Sequence, residues 1–178
     1  RKIVFFRHAK TKFNDGSFLG QSRDPHIIKQ KKIIKKELFS KVYTSPLLRC
    51  KESVKILTSN SNFVCEKDLL EINYGKAEGM NINILARKFP FIIKKWKEKK
   101  DPNFPDGESY KDVSSRIDKF LKKISKNNIN NCCVVTHNIF LRILIGKTFN
   151  IPKENWYNIY IPHLMKLEFI ILDNKIYP

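Results

Sequence analysis

Glycine and proline are scarce in this chain, 6 and 8 among 178 residues, and no Gly/Ser-rich stretch or internal repeat interrupts it. No domain boundary follows from such a sequence, and its length fits one sizeable core. Long apolar runs are missing as well. Segments such as residues 3–6 and 132–135 are short, and the longest are broken by Lys, Arg or Asn, well before the roughly eighteen residues a membrane helix needs. The amino end, Arg1-Lys2 before a brief apolar run, lacks the apolar stretch and small-residue cleavage site of a secretory leader. A cytoplasmic location without a membrane partner is therefore expected. Cysteine is sparse and unpatterned: Cys50, Cys65, Cys132 and Cys133 form no C-x-x-C pair, which predicts core thiols and neither a disulfide framework nor a zinc site. P-loop, G-x-G-x-x-G, H-E-x-x-H and paired-carboxylate ligand patterns are absent too, so no metal and no cofactor is expected, and nucleotide-dependent kinase or dehydrogenase chemistry is excluded.

Acidic residues are few, 17 against 35 Lys and Arg, and the net charge is +18. Lysine, isoleucine and asparagine are over-used along the whole chain, so the charge reads as a solvated surface and not as a built patch. It would speed the arrival of any anion without naming it. No aromatic-rich basic strand offers a platform for stacked bases, and nucleic acid is not the expected partner.

What is present alternates between strand and helix patterns. Residues 3–6, 41–44 and 132–136 read as strands, and 164–172 as a late strand at or near the sheet edge. Residues 29–38 read as a basic helix with Ile33, Ile34 and Leu38 on one side. Pro46 reads as the opening of a helix carrying Leu47, Leu48, Val54 and Leu57. Residues 81–99 look helical with a break near Pro90. Ser109 with Asp112 has the form of a capping box before a helix holding Val113, Ile117, Phe120 and Leu121, and residues 139–147 form the next helix. This order predicts an α/β fold: a single three-layer domain over residues 1–178, with a mostly parallel central sheet and helices on both faces.

In such sheets ligands bind beyond the carboxyl ends of the strands. The first strand runs into Arg7-His8, the second into Thr44-Ser45-Pro46 with Arg49 a turn later, and the later one into Thr136-His137. Two histidines and two arginines at one edge, without carboxylates beside them in sequence, make a pocket suited to a dianion. Phosphate fits best, because guanidinium forks donate paired hydrogen bonds to its oxygens.

Arg7-His8-Ala9-Lys10-Thr11, followed by Asn14, resembles the RHG motif of the histidine phosphatase superfamily, in the branch that holds phosphoglycerate mutases and related phosphatases. Phe18-Leu19-Gly20-Gln21 and Asp24-Pro25 resemble its glycine-containing loop, and Thr44-Ser45-Pro46-Leu47-Leu48-Arg49 its second arginine motif. Leu70-Glu71, Gly75 and Glu78-Gly79 resemble the segment bearing its acid. Gly107-Glu108-Ser109 and Val134-Val135-Thr136-His137, with Arg142 beyond, complete the order, so the likeness spans residues 3–146. There are departures. Ala9 and Asn138 stand where glycines are usual, and Lys10 where an acid is common, which adds charge at the pocket mouth. Ala9 is harmless if its φ need not be positive.

The resemblance implies a phosphoglycerate mutase-like fold and a metal-independent phosphomonoesterase acting on a small phosphorylated metabolite. His8 would attack phosphorus and carry the phosphoryl group. Arg7, Arg49 and His137, the last partly cationic, would hold its oxygens, and Glu71 would protonate the leaving oxygen. Asn14, Gly20, Gln21 and Asn138 would line the substrate side. Glu78 competes for the acid's role but belongs to a turn, and Glu108 and Ser109 are expected to organise the helix after them. His26 and His163 read as incidental, and Phe89, Phe91, Trp96 and Phe104 as core. The mutases of this family are generally longer and Gly107-Glu108-Ser109 resembles the phosphatase branch, including broad-specificity and α-ribazole phosphate phosphatases. Hydrolysis is therefore favoured over a phosphoglycerate mutase-type phosphotransferase. A non-catalytic basic domain binding RNA or a protein partner is the lower alternative. No oligomeric state is implied.

Overall fold

The computed structural model describes residues 1–30, 34–127, 129–172 and 175–178. Six strands form one sheet: β1 (Lys2–Arg7), β2 (Lys41–Thr44), β3 (Val64–Cys65), β4 (Cys132–Thr136), β5 (Lys166–Leu172) and β6 (Lys175–Tyr177), in the order β3-β2-β4-β1-β5-β6. β1 through β4 pair in parallel, as the alternating pattern predicts. β5 runs antiparallel to β1, and β6 caps the edge outside it. The reversal matters for the site: an antiparallel strand begins where its parallel neighbour ends, so the residues just before β5 arrive at the carboxyl edge of β1. There Arg7 donates its backbone N–H to Met165 and accepts one from Leu164.

Both faces of the central strands β1, β2 and β4 are buried, whereas β5 and β6 expose one side, and strand alternation divides the core between the two faces. Ile3, Phe5, Cys132 and Val134 point to one side, into a cluster with Val113, Ile117 and Phe120 of α4 (Tyr110–Ser125) and Phe140, Ile143 and Leu144 of α5 (Asn138–Thr148). Val4, Phe6, Cys133 and Val135 point to the other, against Cys50, Val54 and Leu57 of α1 (Leu48–Leu57) and Phe39. The three layers expected from sequence are therefore present, with all four cysteines as free thiols.

Two expectations need correction. No helix spans residues 29–38: residues 29–30 and 34–38 are non-helical, residues 31–33 lie outside the described part, and Leu38 is 71% exposed. Glu37 instead donates its N–H to Leu57 and accepts that of Ser59, a strand-like pairing that uses the backbone groups a helix would need. Pro46 does not open α1 itself, since the helix starts at Leu48. The break near Pro90 is real, dividing α2 (Ile82–Lys88) from α3 (Pro90–Lys97), with Pro90 at the first position of the second helix. Phe104 is buried and Trp96 and Phe89 pack on the core, whereas Phe91 is exposed. None of the helices formed by described residues is long and apolar enough to cross a membrane.

Candidate active site

Adjacent strand ends gather the cations. His8 donates its backbone N–H to the Thr136 carbonyl at 3.0 Å and Ser45 donates to Val135 at 3.0 Å, so the ends of β1, β2 and β4 are laced together. His8 is buried, and its Nδ1 lies 2.7 Å from the Ala9 carbonyl. A carbonyl can only accept, so Nδ1 carries the proton and the lone pair is left on Nε2. Burial, with Arg49 nearby, holds the ring well below the ordinary imidazole range and keeps it neutral. Ala9 is itself fully buried, donates its N–H to Ser53 Oγ at 2.8 Å, and has no positive φ, so the missing glycine costs no strain.

Arg49 is completely buried and spends four of its five N–H groups. Nε donates to His137 Nδ1 at 3.3 Å, Nη2 to the Gly20 carbonyl at 2.7 Å, and Nη1 to the Arg23 carbonyl at 3.0 Å and Asp24 Oδ1 at 3.2 Å. Arginine has no acceptor, so His137 Nδ1 is the lone-pair nitrogen and its Nε2–H points to Ser45 Oγ, 2.8 Å away. His137 is thus a neutral donor here and not the partial cation expected from sequence; burial first, then Arg49, pushes its pKa well below 6.5. The rings of His8 and His137 stand 5.2 Å apart.

Asp24 also accepts the N–H groups of Leu48 and Arg49, capping α1 from a distant loop, because its own N-cap position offers no side chain. Gly20 has φ +64°, and a Cβ there would lie 1.9 Å from Glu78 Oε1. The Glu78 carboxylate accepts from the N–H groups of Gln21 and Ser22 at 2.8 Å each, which makes it the brace of this loop.

Glu71 is buried and accepts from Ile72 N–H at 3.1 Å and from Ile139 N–H at 3.2 and 3.4 Å through its two oxygens. It caps α5 in place of His137, whose side chain does not. Burial raises its pKa against the opposing pull of Arg49 and these amides, suiting it to hold a proton. Gln21 Nε2 donates to the Glu71 carbonyl at 2.7 Å, so Gln21 positions the acid's segment. Glu108 does more than organise its own helix: it pairs with Arg116 at 2.9 Å and accepts the Asn73 N–H at 2.8 Å, while Ser109 and Asp112 form the capping box of α4.

Arg7 is half-buried, donates to the Ile161 carbonyl, and leaves Nε without a partner among the described residues. Asn14 spends its side-chain oxygen on Thr11, accepting from N–H at 2.7 Å and Oγ1 at 2.9 Å, so it shapes the turn after His8. Asn138 opens α5 with its Oδ1 buried and unpartnered. His26 is exposed and paired with Glu52. His163 is not incidental. Its Nδ1 donates to the His8 carbonyl at 3.1 Å and its ring lies 5.4 Å from that of His8. Its position just before a strand antiparallel to β1 is the signal that could have found it. Asp24 and Ser45 are further members that the motifs contain but residue type alone does not single out.

The family model of the histidine phosphatase superfamily (branch 1) matches residues 3–174. The chain is similar to phosphoserine phosphatase 1 of Hydrogenobacter thermophilus, 27% identical over 155 residues that cover 80% of this chain and 74% of that protein. Its fold is similar to the α-ribazole phosphatase of Shigella flexneri, with a TM-score of 0.81 and 18% identity over 99% of this chain and 94% of the other. A phosphoserine phosphatase of Entamoeba histolytica crystallised with 3-phosphoglyceric acid gives a TM-score of 0.78 and 19% identity, covering 95% and 90%.

Proposed function

The chain belongs to the histidine phosphatase superfamily (branch 1), and from that premise we propose that it is a metal-independent phosphomonoesterase, a single catalytic domain that hydrolyses a small phosphorylated metabolite in the cytoplasm through a phosphohistidine on His8. One observation carries the assignment of the nucleophile: the Nδ1–H bond to Ala9 leaves the His8 lone pair on Nε2, beside the buried Arg49–His137 pair. A protonated or oppositely tautomerised ring could not attack through Nε2.

In the first step Nε2 forms a bond to phosphorus in line with the departing ester oxygen, and Glu71 transfers its proton to that oxygen as the P–O bond breaks. Arg7, the Nη2–H of Arg49 not given to Gly20, and the Nε2–H of His137 once it turns from Ser45 to the phosphate stabilise the charge on the equatorial oxygens. In the second step the Glu71 carboxylate takes a proton from water, whose oxygen displaces His8 from phosphorus and regenerates the neutral ring. Support for a small substrate comes from the relatives named phosphoserine and α-ribazole phosphatases, and four unpaired cysteines fit a reducing compartment.

The test is inorganic phosphate release from phosphorylated amino acids, glycerates, sugars and α-ribazole phosphate, with a metal chelator present. Chelator-resistant release that disappears in His8→Ala supports the reading. Interconversion of phosphoglycerates without net release would replace it with the mutase-type phosphotransferase.

A further inference from the structure

The His8 tautomer is selected by a bond to the carbonyl of the very next residue, Ala9, which lies 2.7 Å from Nδ1. Between the ring and that carbonyl stands one rigid peptide plane, and the torsions on either side of it, ψ of His8 and φ of Ala9, set whether the two atoms meet. Both polar ends of this plane are held by side chains. Its N–H, on Ala9, donates to Ser53 Oγ at 2.8 Å, and its C=O, on His8, accepts from His163 Nδ1–H at 3.1 Å.

The two anchors come from opposite ends of the chain, and each is itself fastened. Ser53 is buried one turn after Arg49 on α1, and its hydroxyl donates to the Arg49 carbonyl at 2.6 Å, so its proton is committed there and Oγ is left to accept from Ala9. The nucleophile's loop is thereby tied to the helix that carries Arg49. His163 lies in the segment entering β5, which is joined to Arg7 three times: Leu164 N–H donates to the Arg7 carbonyl at 3.1 Å, Arg7 N–H to the Met165 carbonyl at 3.1 Å, and the Arg7 guanidinium to the Ile161 carbonyl. Leu164 takes φ +62°, a left-handed conformation that non-glycine residues seldom adopt, so the turn presenting His163 is kept against a local preference. Burial, then Arg7, and also Lys10 bring the His163 pKa to about 4, which leaves a neutral ring whose single N–H is spent on the His8 carbonyl.

We propose that Ser53 and His163 act together as a clamp on the His8–Ala9 peptide, two positioning residues that fix the tautomer and aim of the nucleophile without touching the substrate. The clamp presupposes that His8 is the nucleophile, as proposed above, and supplies what makes it competent. An unconstrained neutral imidazole can carry its proton on either nitrogen. With both ends of the plane held, the Ala9 carbonyl stays beside Nδ1 and the lone pair stays on Nε2. Freeing one end lets the plane turn, the carbonyl leave and the proton move to Nε2, where it blocks attack on phosphorus.

Ring 15N NMR at neutral pH tests the clamp, with the His8 signals identified by their loss in His8→Ala. The wild type is expected to show His8 protonated on Nδ1 alone, Ser53→Ala and His163→Ala a mixture of tautomers, and Ser53→Thr and His163→Asn, which keep a hydroxyl and an N–H in place, the wild-type pattern. In phosphate release each alanine variant should lose about 5- to 20-fold in kcat with KM changed by about twofold at most, the worth of one hydrogen bond whose partner is left unpaired. The double alanine variant should lose no more than about twofold beyond the larger single loss, because one freed end already releases the plane. A His8 ring that stays on the Nδ1–H tautomer in both alanine variants, a mixed tautomer in His163→Asn, or losses that multiply in the double variant overturns the clamp. Failure of the parent reading is distinct: the wild type would release no phosphate, while the tautomer patterns would still decide for or against the clamp.

Discussion

The two halves of the pocket treat their polar groups in opposite ways. Around Arg49 the guanidinium, His137, Ser45, Asp24 and the Gly20 carbonyl form a network in which four of the five guanidinium N–H groups and both ring nitrogens of His137 are paired. Around Arg7, Asn138 and Arg142 three buried atoms have no partner among the described residues. A closed network is rigid and holds its donors at fixed positions, as stabilising a phosphoryl group in flight requires. An open one keeps its polar groups free to pair with a ligand.

Substitutions in the closed half should abolish turnover whatever the substrate, and the largest effect is expected for His8→Ala. Removing a covalent nucleophile should lower kcat by on the order of 10^4-fold or more for every ester in the phosphate-release assay. Next comes Glu71→Gln, which removes the proposed proton donor and should cost about 10^2- to 10^4-fold on alkyl esters. It should cost much less in the first step with p-nitrophenyl phosphate, whose leaving group needs no proton; burst kinetics separate that step, and an equal loss for both substrates would place Glu71 outside the proton transfer. Arg49→Lys should cost about 10^2- to 10^3-fold, because one ammonium cannot hold His137 Nδ1 and the Gly20 carbonyl together and also donate to phosphate as proposed. Substrate-selective loss in any of these would erase the distinction between the halves.

Stability should follow the same division with pH. His8 and His137 are neutral in the fold and titrate well below 6.5, whereas an unfolded chain binds a proton at each near pH 6.5. The unfolded state therefore holds more protons below that pH, so the histidine contribution is complete above it and is lost as the pH falls. His163, brought to about 4, extends the loss down to that value. Urea midpoints measured between pH 7.5 and 4 should fall continuously, and His163→Asn should flatten part of the decline.

Much of this architecture is legible in the sequence. Periodicity places the parallel strands and the helices over α4 and α5, and motif order places Arg7, His8, Arg49, Glu71 and His137. Two kinds of feature stay hidden for physical reasons. The first depends on strand direction: looking at the carboxyl ends of parallel strands finds His8 and His137, but His163 reaches the same edge from the amino end of an antiparallel strand. The second depends on partners distant in sequence. The charge state of His137 follows from its burial and from Arg49, 88 residues away, and the absence of a helix at 34–38 from the pairing of Glu37 with Leu57 and Ser59. Residue type and spacing carry neither.

The smallest expected effect separates local from distant caps. α4 is capped by its own Ser109 and Asp112, at 2.7 to 3.3 Å, a box readable from sequence. α1 and α5 are capped instead by Asp24 and Glu71, which also touch or belong to the site. Ser109→Ala should lower stability by about 1 kcal/mol and leave turnover unchanged, since its bonds end within the first turn of α4. Asp24→Asn should lose a similar amount at α1 but also slow turnover, because the same carboxylate holds Arg49 Nη1. Comparing urea midpoints with kcat for the two variants is decisive: if Asp24→Asn changes only the midpoint, the cap and the catalytic network are separable, and Asp24 acts solely on the helix.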